Sequence, residues 1–222
     1  MRTIPIYLSL AVLLVLVLAS GCGTVAAVRA MRKGESSLGL SAGGPVARIV
    51  GMDIPFPYAV ARYRYGLSDR AGLYAGGHLT AAGLGLVGID AGLSYQFIQP
   101  QGWVPAVGAS AGLTAFVKPG GEDAVFPGFD LVASYLLGRR YLVYFGSQSM
   151  FELNDRPYVV LAPFVGAEIR LGRSFSLDLE TKWYAPSEET KPRNVDYKLH
   201  IGGKGAIGFV LGAGYSFGGW YE

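Results

Sequence analysis

The chain has 222 residues, of which 33 are Gly and 14 Tyr, and only 16% are charged. That glycine load has no G-X-Y period, and 51% hydrophobic content excludes collagen and disordered polymers alike. A formal charge of +3, with the basic residues scattered, gives no electrostatic footprint for nucleic acid.

Residues 4–19 are almost wholly apolar and follow Arg2. The run of about 16 positions is short for a spanning helix and suits a secretory signal segment. It ends LVLASGC, and Cys22 is the only cysteine in the chain. Small residues Ala19, Ser20 and Gly21 before that Cys resemble the lipobox of bacterial lipoproteins. The resemblance implies cleavage after residue 21, acylation of Cys22 and handling by the lipoprotein-sorting machinery. Gly23 stands where an Asp would retain such a lipoprotein at the inner membrane, so the resemblance points to the outer membrane. Residues 22–34, with Arg29, Arg32 and Lys33, read as a lipidated basic tether, and 35–222 as the folded domain.

From residue 36 the hydrophobic period is two, and no stretch of 11 or more residues carries a helical stripe. In 86–97, Val87, Ile89, Ala91, Leu93, Tyr95 and Phe97 share one parity against Gly88, Asp90, Gly92, Ser94 and Gln96. The pattern recurs at 103–116, 128–137, 159–171, 173–184 and 206–217. It is looser at 58–67, 71–79 and 141–149 and weakest at 36–46, which makes ten expected strands. Short turns fall at 68–70, 98–102, 138–140 and 172–174, each with an odd number of residues, so flanking apolar residues share a face. Longer connections near 51–57, 80–84, 117–127, 150–157 and 185–204 all fall at the opposite end. The expectation is a closed antiparallel up-and-down transmembrane β-barrel of about ten strands, with short periplasmic turns and longer outer loops.

Aromatics crowd the short-turn end of the apolar parity, among them Tyr63, Tyr65, Tyr95, Trp103 and Tyr141, with Trp183 toward the other rim. They make an expected pair of membrane-interface belts. The opposite parity carries Arg62, Arg64, Asp90, Asp130, Glu168, Arg170, Asp178, Glu180 and Lys182 among Gly, Ser and Ala. Small residues with a few balanced ions suit a narrow interior, where unpaired charge is costly. Near the C-terminus, Gly212, Tyr215 and Phe217 resemble the terminal signal of Gram-negative outer-membrane barrels. That likeness implies recognition by the barrel-assembly machinery.

Chemistry-like motifs weaken once placed. GLGLVG at 83–88 and GKGAIG at 203–208 run into strands rather than a phosphate-binding helix N-terminus. GASAG at 108–112 sets Ser110 mid-strand, where no nucleophile elbow forms. A turn at 98–102 would set Asp90 opposite Ser110, with His78 about 13 Å from Asp90 along the sheet. No catalytic residue, cofactor or metal site is therefore expected, nor any enzyme activity. The expected partners are membrane lipids and no nucleic acid, and the sequence names no external partner. Three alternatives stay open: a barrel-embedded lipid or peptide hydrolase, a narrow channel, and a periplasmic ligand-binding barrel lipoprotein.

Overall fold

The structure, a computed structural model, describes residues 28–49, 51–56, 58–121, 123–152, 158–189 and 197–218. Cys22 and the segment 1–21 lie outside the described residues. Among those described, β1 (Ser36–Ile49), β2 (Met52–Pro55), β3 (Ala59–Gly66) and β4 (Ala71–His78) precede a one-turn helix, α1 (Leu79–Gly83). Then follow β5 (Val87–Ile98), β6 (Ala106–Val117), β7 (Ala124–Leu137), β8 (Tyr141–Glu152), β9 (Tyr158–Leu171), β10 (Phe175–Glu189) and β11 (Lys204–Phe217). Each strand of the wall pairs antiparallel with its neighbours in chain order, and β11 pairs back onto β1 from Ser36↔Phe217 to Pro45↔Gly208. The sheet is a closed ten-stranded up-and-down barrel. Closure leaves the wall no open edge, as a bilayer demands.

Period-two sequence becomes two surfaces. Leu93, Leu113 and Leu211 are 60%, 56% and 60% exposed, all pointing outward. Their alternates Asp90, Ser110 and Val210 are buried inside. A water-soluble barrel has the reverse arrangement, apolar in and polar out; this exterior is that of a membrane-spanning barrel.

Three of the four expected short turns keep their register. Leu67, Leu137 and Leu171 lead into 68–70, 138–140 and 172–174, with pairings Gly66↔Gly72, Leu137↔Tyr141 and Leu171↔Phe175. Gly138 and Gly172 have φ of 64° and 67°, which a side chain would strain.

The fourth turn differs. β5 and β6 pair Gln96↔Gly108, so the connection spans 99–105 and the register moves by four residues from the expected one. Pro100 and Pro105 lack ladder donors, and a bridge between Gln101 and Val104 closes the turn early. Trp103, expected in the strand, sits in this loop at 94% exposure. An even shift preserves facing, but Asp90 now lies opposite Thr114 and Ser110 opposite Ser94.

The expected loop at 51–57 is also different. β2 continues the β1 hairpin, Val46↔Pro55 to Ile49↔Met52, in the same register in which β1 pairs β3. β2 and β3 are one interrupted strand that rises past the wall at the long-loop end.

Candidate functional site

The interior is filled where glycine makes room for it. Tyr144 is fully buried against Gly166, where a Cβ would come within 2.5 to 2.7 Å of the phenol ring. Phe164 lies across Gly146, and Tyr74 lies over Gly92 and Gly112. These inward aromatics were not singled out from sequence. The signal available was an aromatic on the small-residue parity whose strand neighbours are Gly.

The charged residues form local groups. Arg62 on β3 pairs with Asp90 on β5 through Nε at 3.1 Å and through a second nitrogen, with the Arg62 guanidinium 5.5 Å from the Tyr74 ring centre. Lys182 Nζ lies 3.0 Å from Glu180 Oε1, both side chains fully buried, and donates to Gln148 Oε1 at 2.8 Å. Arg170 and Glu168 meet at 3.2 Å. Arg64 donates to Ser37 Oγ at 3.0 Å, and Ser110 donates to Asp130 Oδ2 at 2.8 Å. Asp178 is half-buried directly across from Glu168, a like-charged neighbour. It lines a gap of only about 30 Å³ with Arg62, Arg64, Tyr144 and Glu168.

Residues 28–34, expected within a tether, fold into the short-turn mouth. Gly34 N–H donates to Gly66 O at 2.8 Å and Ala30 N–H to Gln96 Oε1 at 2.8 Å. Val28 packs with Val132, Leu142, Tyr144 and Phe164 in the buried apolar cluster. Glu35 is buried, accepts from Ser216 Oγ at 3.3 Å and lies 3.7 Å from Arg29. The segment plugs this end because the aromatic layer gives Val28 an apolar seat and Glu35 gives Arg29 a counter-charge.

Toward the long-loop end the lumen holds a cavity of about 100 Å³ above the Arg62 and Asp90 pair. His78, buried at the end of β4, is clamped edge-on between Tyr58 at 5.4 Å and Phe116 at 5.1 Å between ring centres. Its Nδ1 is hydrogen-bonded to the Tyr58 hydroxyl. The Tyr58 and His78 arrangement was not anticipated, because the break between β2 and β3 that brings Tyr58 over β4 has no periodic signature. With Gly77 opposite Ile89, His78 is two residues from Asp90 on the shared face, nearer than expected. Ser110 is bonded to Asp130 instead of facing either, so Ser110, His78 and Asp90 form no triad. Among the described residues no group of three or more His, Cys, Asp or Glu could hold a metal ion.

On the outside, Tyr63, Tyr65, Tyr95 and Tyr141 are 41%, 37%, 52% and 53% exposed near the short-turn end. Trp183 donates to Lys204 O at 3.0 Å near the other rim. Tyr215, on the strand that closes the barrel, stacks edge-on with Phe175 of β10 and with Phe217, centres 5.0 and 5.1 Å apart; Gly212 lies on the inward parity.

No known family model matches this chain, and no curated protein matches it. Solved structures with a similar outline include the translocator domain of the autotransporter NalP from Neisseria meningitidis, at 10% identity and a TM-score of 0.47, covering 86% of this chain and 91% of that one. The outer membrane protein OprG from Pseudomonas aeruginosa is 10% identical, with a TM-score of 0.38, covering 86% and 99%. The outer membrane protease OmpT from Escherichia coli is 11% identical, with a TM-score of 0.41, covering 83% and 94%.

Proposed function

We propose that this protein is an outer-membrane β-barrel lipoprotein with a structural or surface-interaction role, exported by residues 1–21 and anchored through Cys22, and that it is not an enzyme. The observation that carries the reading is the exterior, where Leu93, Leu113 and Leu211 stand exposed on a closed wall around a packed, charged interior. Gly23 after Cys22 and the Gly212, Tyr215, Phe217 pattern support the outer membrane as the destination and the sorting and assembly machineries as partners. Val28 lies six positions beyond Cys22, about 20 Å of extended chain, so an acyl anchor at the periplasmic leaflet is compatible with a seated plug. The plug and the aromatic layer above it favour a closed lumen over a conducting channel.

Heat-modifiable migration of the membrane-extracted protein, with mass spectrometry of its mature N-terminus, tests the proposal. The expected result is a compact band that shifts on boiling and a diacylated or triacylated Cys22. A soluble protein with unchanged migration rejects the barrel, and an N-terminus beyond residue 22 rejects the anchor alone.

A further inference from the structure

We propose that the short-turn rim of the barrel is a binding surface for the headgroups of anionic phospholipids in the periplasmic leaflet. The inference rests on the reading of the chain as an outer-membrane barrel and names a lipid class for one of its ends. The basic residues are scattered along the sequence, and the topology gathers them. Turns 68–70, 138–140 and 172–174 lie at one end of the wall and carry Arg70, Arg139, Arg140 and Arg173, all exposed. The N-terminal segment adds exposed Arg32 and Lys33 to the same mouth, where Gly34 N–H donates to Gly66 O at 2.8 Å. Among the described residues of this rim the one exposed carboxylate is Asp69, whose Oδ1 accepts the Lys33 backbone N–H at 3.2 Å. The opposite rim has no such imbalance: Arg48, Lys118, Lys198 and Lys204 are matched in number by Asp53, Asp123, Glu188 and Glu189.

Height selects the partner. Arg140 directly precedes the exposed Tyr141, and Arg173 comes two residues before the exposed Phe175. Arg70 adjoins Ala71, whose cross-strand partner is the exposed Tyr95. Exposed aromatics of this kind mark the edge of the hydrocarbon. One or two residues of strand span about 3–7 Å, and the headgroup layer beyond the hydrocarbon is about 5–7 Å deep. The guanidinium groups therefore sit at the level of the phosphates, and three-residue turns are too short to carry them through that layer to a protein beyond it. Trp103, exposed at the tip of the β5 to β6 turn, adds an interfacial ring to the same rim. Arginine presents paired N–H donors that match phosphate oxygens. A zwitterionic headgroup also brings an ammonium that the basic rim repels, so lipids with a net negative charge are favoured.

The test is electron spin resonance of spin-labelled phosphatidylglycerol and phosphatidylcholine in phosphatidylcholine bilayers holding the full chain. The fraction of each label immobilised on the barrel gives its preference for the anionic lipid. One variant combines Arg70→Gln, Arg139→Gln, Arg140→Gln and Arg173→Gln. A control combines Arg48→Gln, Lys118→Gln, Lys198→Gln and Lys204→Gln at the other rim, and heat-modifiable migration confirms that each is folded. The wild type is expected to prefer phosphatidylglycerol by about threefold or more at low salt, an advantage that falls toward one in about 0.5 M salt. The short-turn variant should lose the preference and the control keep it. A wild-type preference near one overturns the proposal, and so does a preference that survives about 0.5 M salt undiminished. A preference kept by the folded short-turn variant, or lost in the control, overturns the location. A chain that immobilises neither lipid and does not shift on boiling overturns the barrel reading itself, and the proposal with it.

Discussion

The two halves of one lumen are built from the same alphabet and end in opposite states. In the half nearer the short turns, Tyr144, Phe164, Lys182 and Glu180 lie at or below 5% exposure, and the N-terminal segment adds Val28 to the same cluster. In the half nearer the long loops, His78 and Asp90 are buried too, each with an atom that has no hydrogen-bond partner, but they line a cavity of about 100 Å³. Glycine explains both. Under a large ring, as at Gly166 beneath Tyr144, it lets the interior close. With no ring above it, as at Gly128, it leaves a chamber.

The difference can be broken most severely at Glu180. Replacing it with Ala leaves the fully buried Lys182 ammonium without its 3.0 Å partner, and an abandoned buried charge costs about 3–5 kcal/mol. The midpoint of urea-induced loss of the compact band should fall accordingly, while Asp130→Asn, which keeps a polar partner for Ser110, should cost far less. A second contrast sets Gly166→Met against Gly128→Met. Gly166→Met drives a side chain into Tyr144 and should destabilise by about 1–3 kcal/mol, whereas Gly128→Met should stay within about 1 kcal/mol of wild type. Equal costs at the two positions would erase the distinction between a filled and an open half.

The plug offers a third test. Val28→Asp sets a carboxylate among Val132, Leu142, Tyr144 and Phe164, and burial of that charge disfavours the seated segment. Planar-bilayer recordings should show current in this variant and none in the wild type. The smallest effect belongs to the exposed hairpin beyond the wall. The Arg48 guanidinium, donating to Asp53 at 2.9 Å, holds that carboxyl below the usual carboxylate range. A depressed native value means that the contact is fully present above an unfolded pKa of about 3.9 and is lost as pH falls through the native one. Amide exchange at β2 should therefore quicken only in strong acid, with the barrel wall unaffected.

The wall was legible because lipid and lumen impose strict alternation, and because odd-length turns at Ser68, Gly138 and Gly172 leave no choice of facing. The β5 to β6 register was not, since a turn bounded by Pro100 and Pro105 can slip by an even number of residues without moving any side chain to the wrong side. Trp103 looked like the next residue of an alternating strand, but its neighbour Pro105 has no donor with which to extend the ladder. The charges were legible as a class and not as pairs: Arg62 reaches Asp90 across β4, a contact between non-adjacent strands that two-strand register arithmetic cannot supply. The plug was missed for a different reason. Arg29, Arg32 and Lys33 read as solvated charge, and only the folded lumen supplies the seat for Val28 and the carboxylate of Glu35 that draw the segment in.

The central claim is the direction of the apolar face, and spin labels test it most directly. In a Cys22→Ser background, Leu93→Cys, Leu113→Cys and Leu211→Cys are each labelled with a nitroxide in reconstituted bilayers. Relaxation by lipid-soluble oxygen is then compared with relaxation by a water-soluble nickel chelate. The account predicts oxygen-dominated relaxation at all three positions. Nickel-dominated relaxation there would mean that the exposed leucines meet water, and the chain would not span a membrane in the way described.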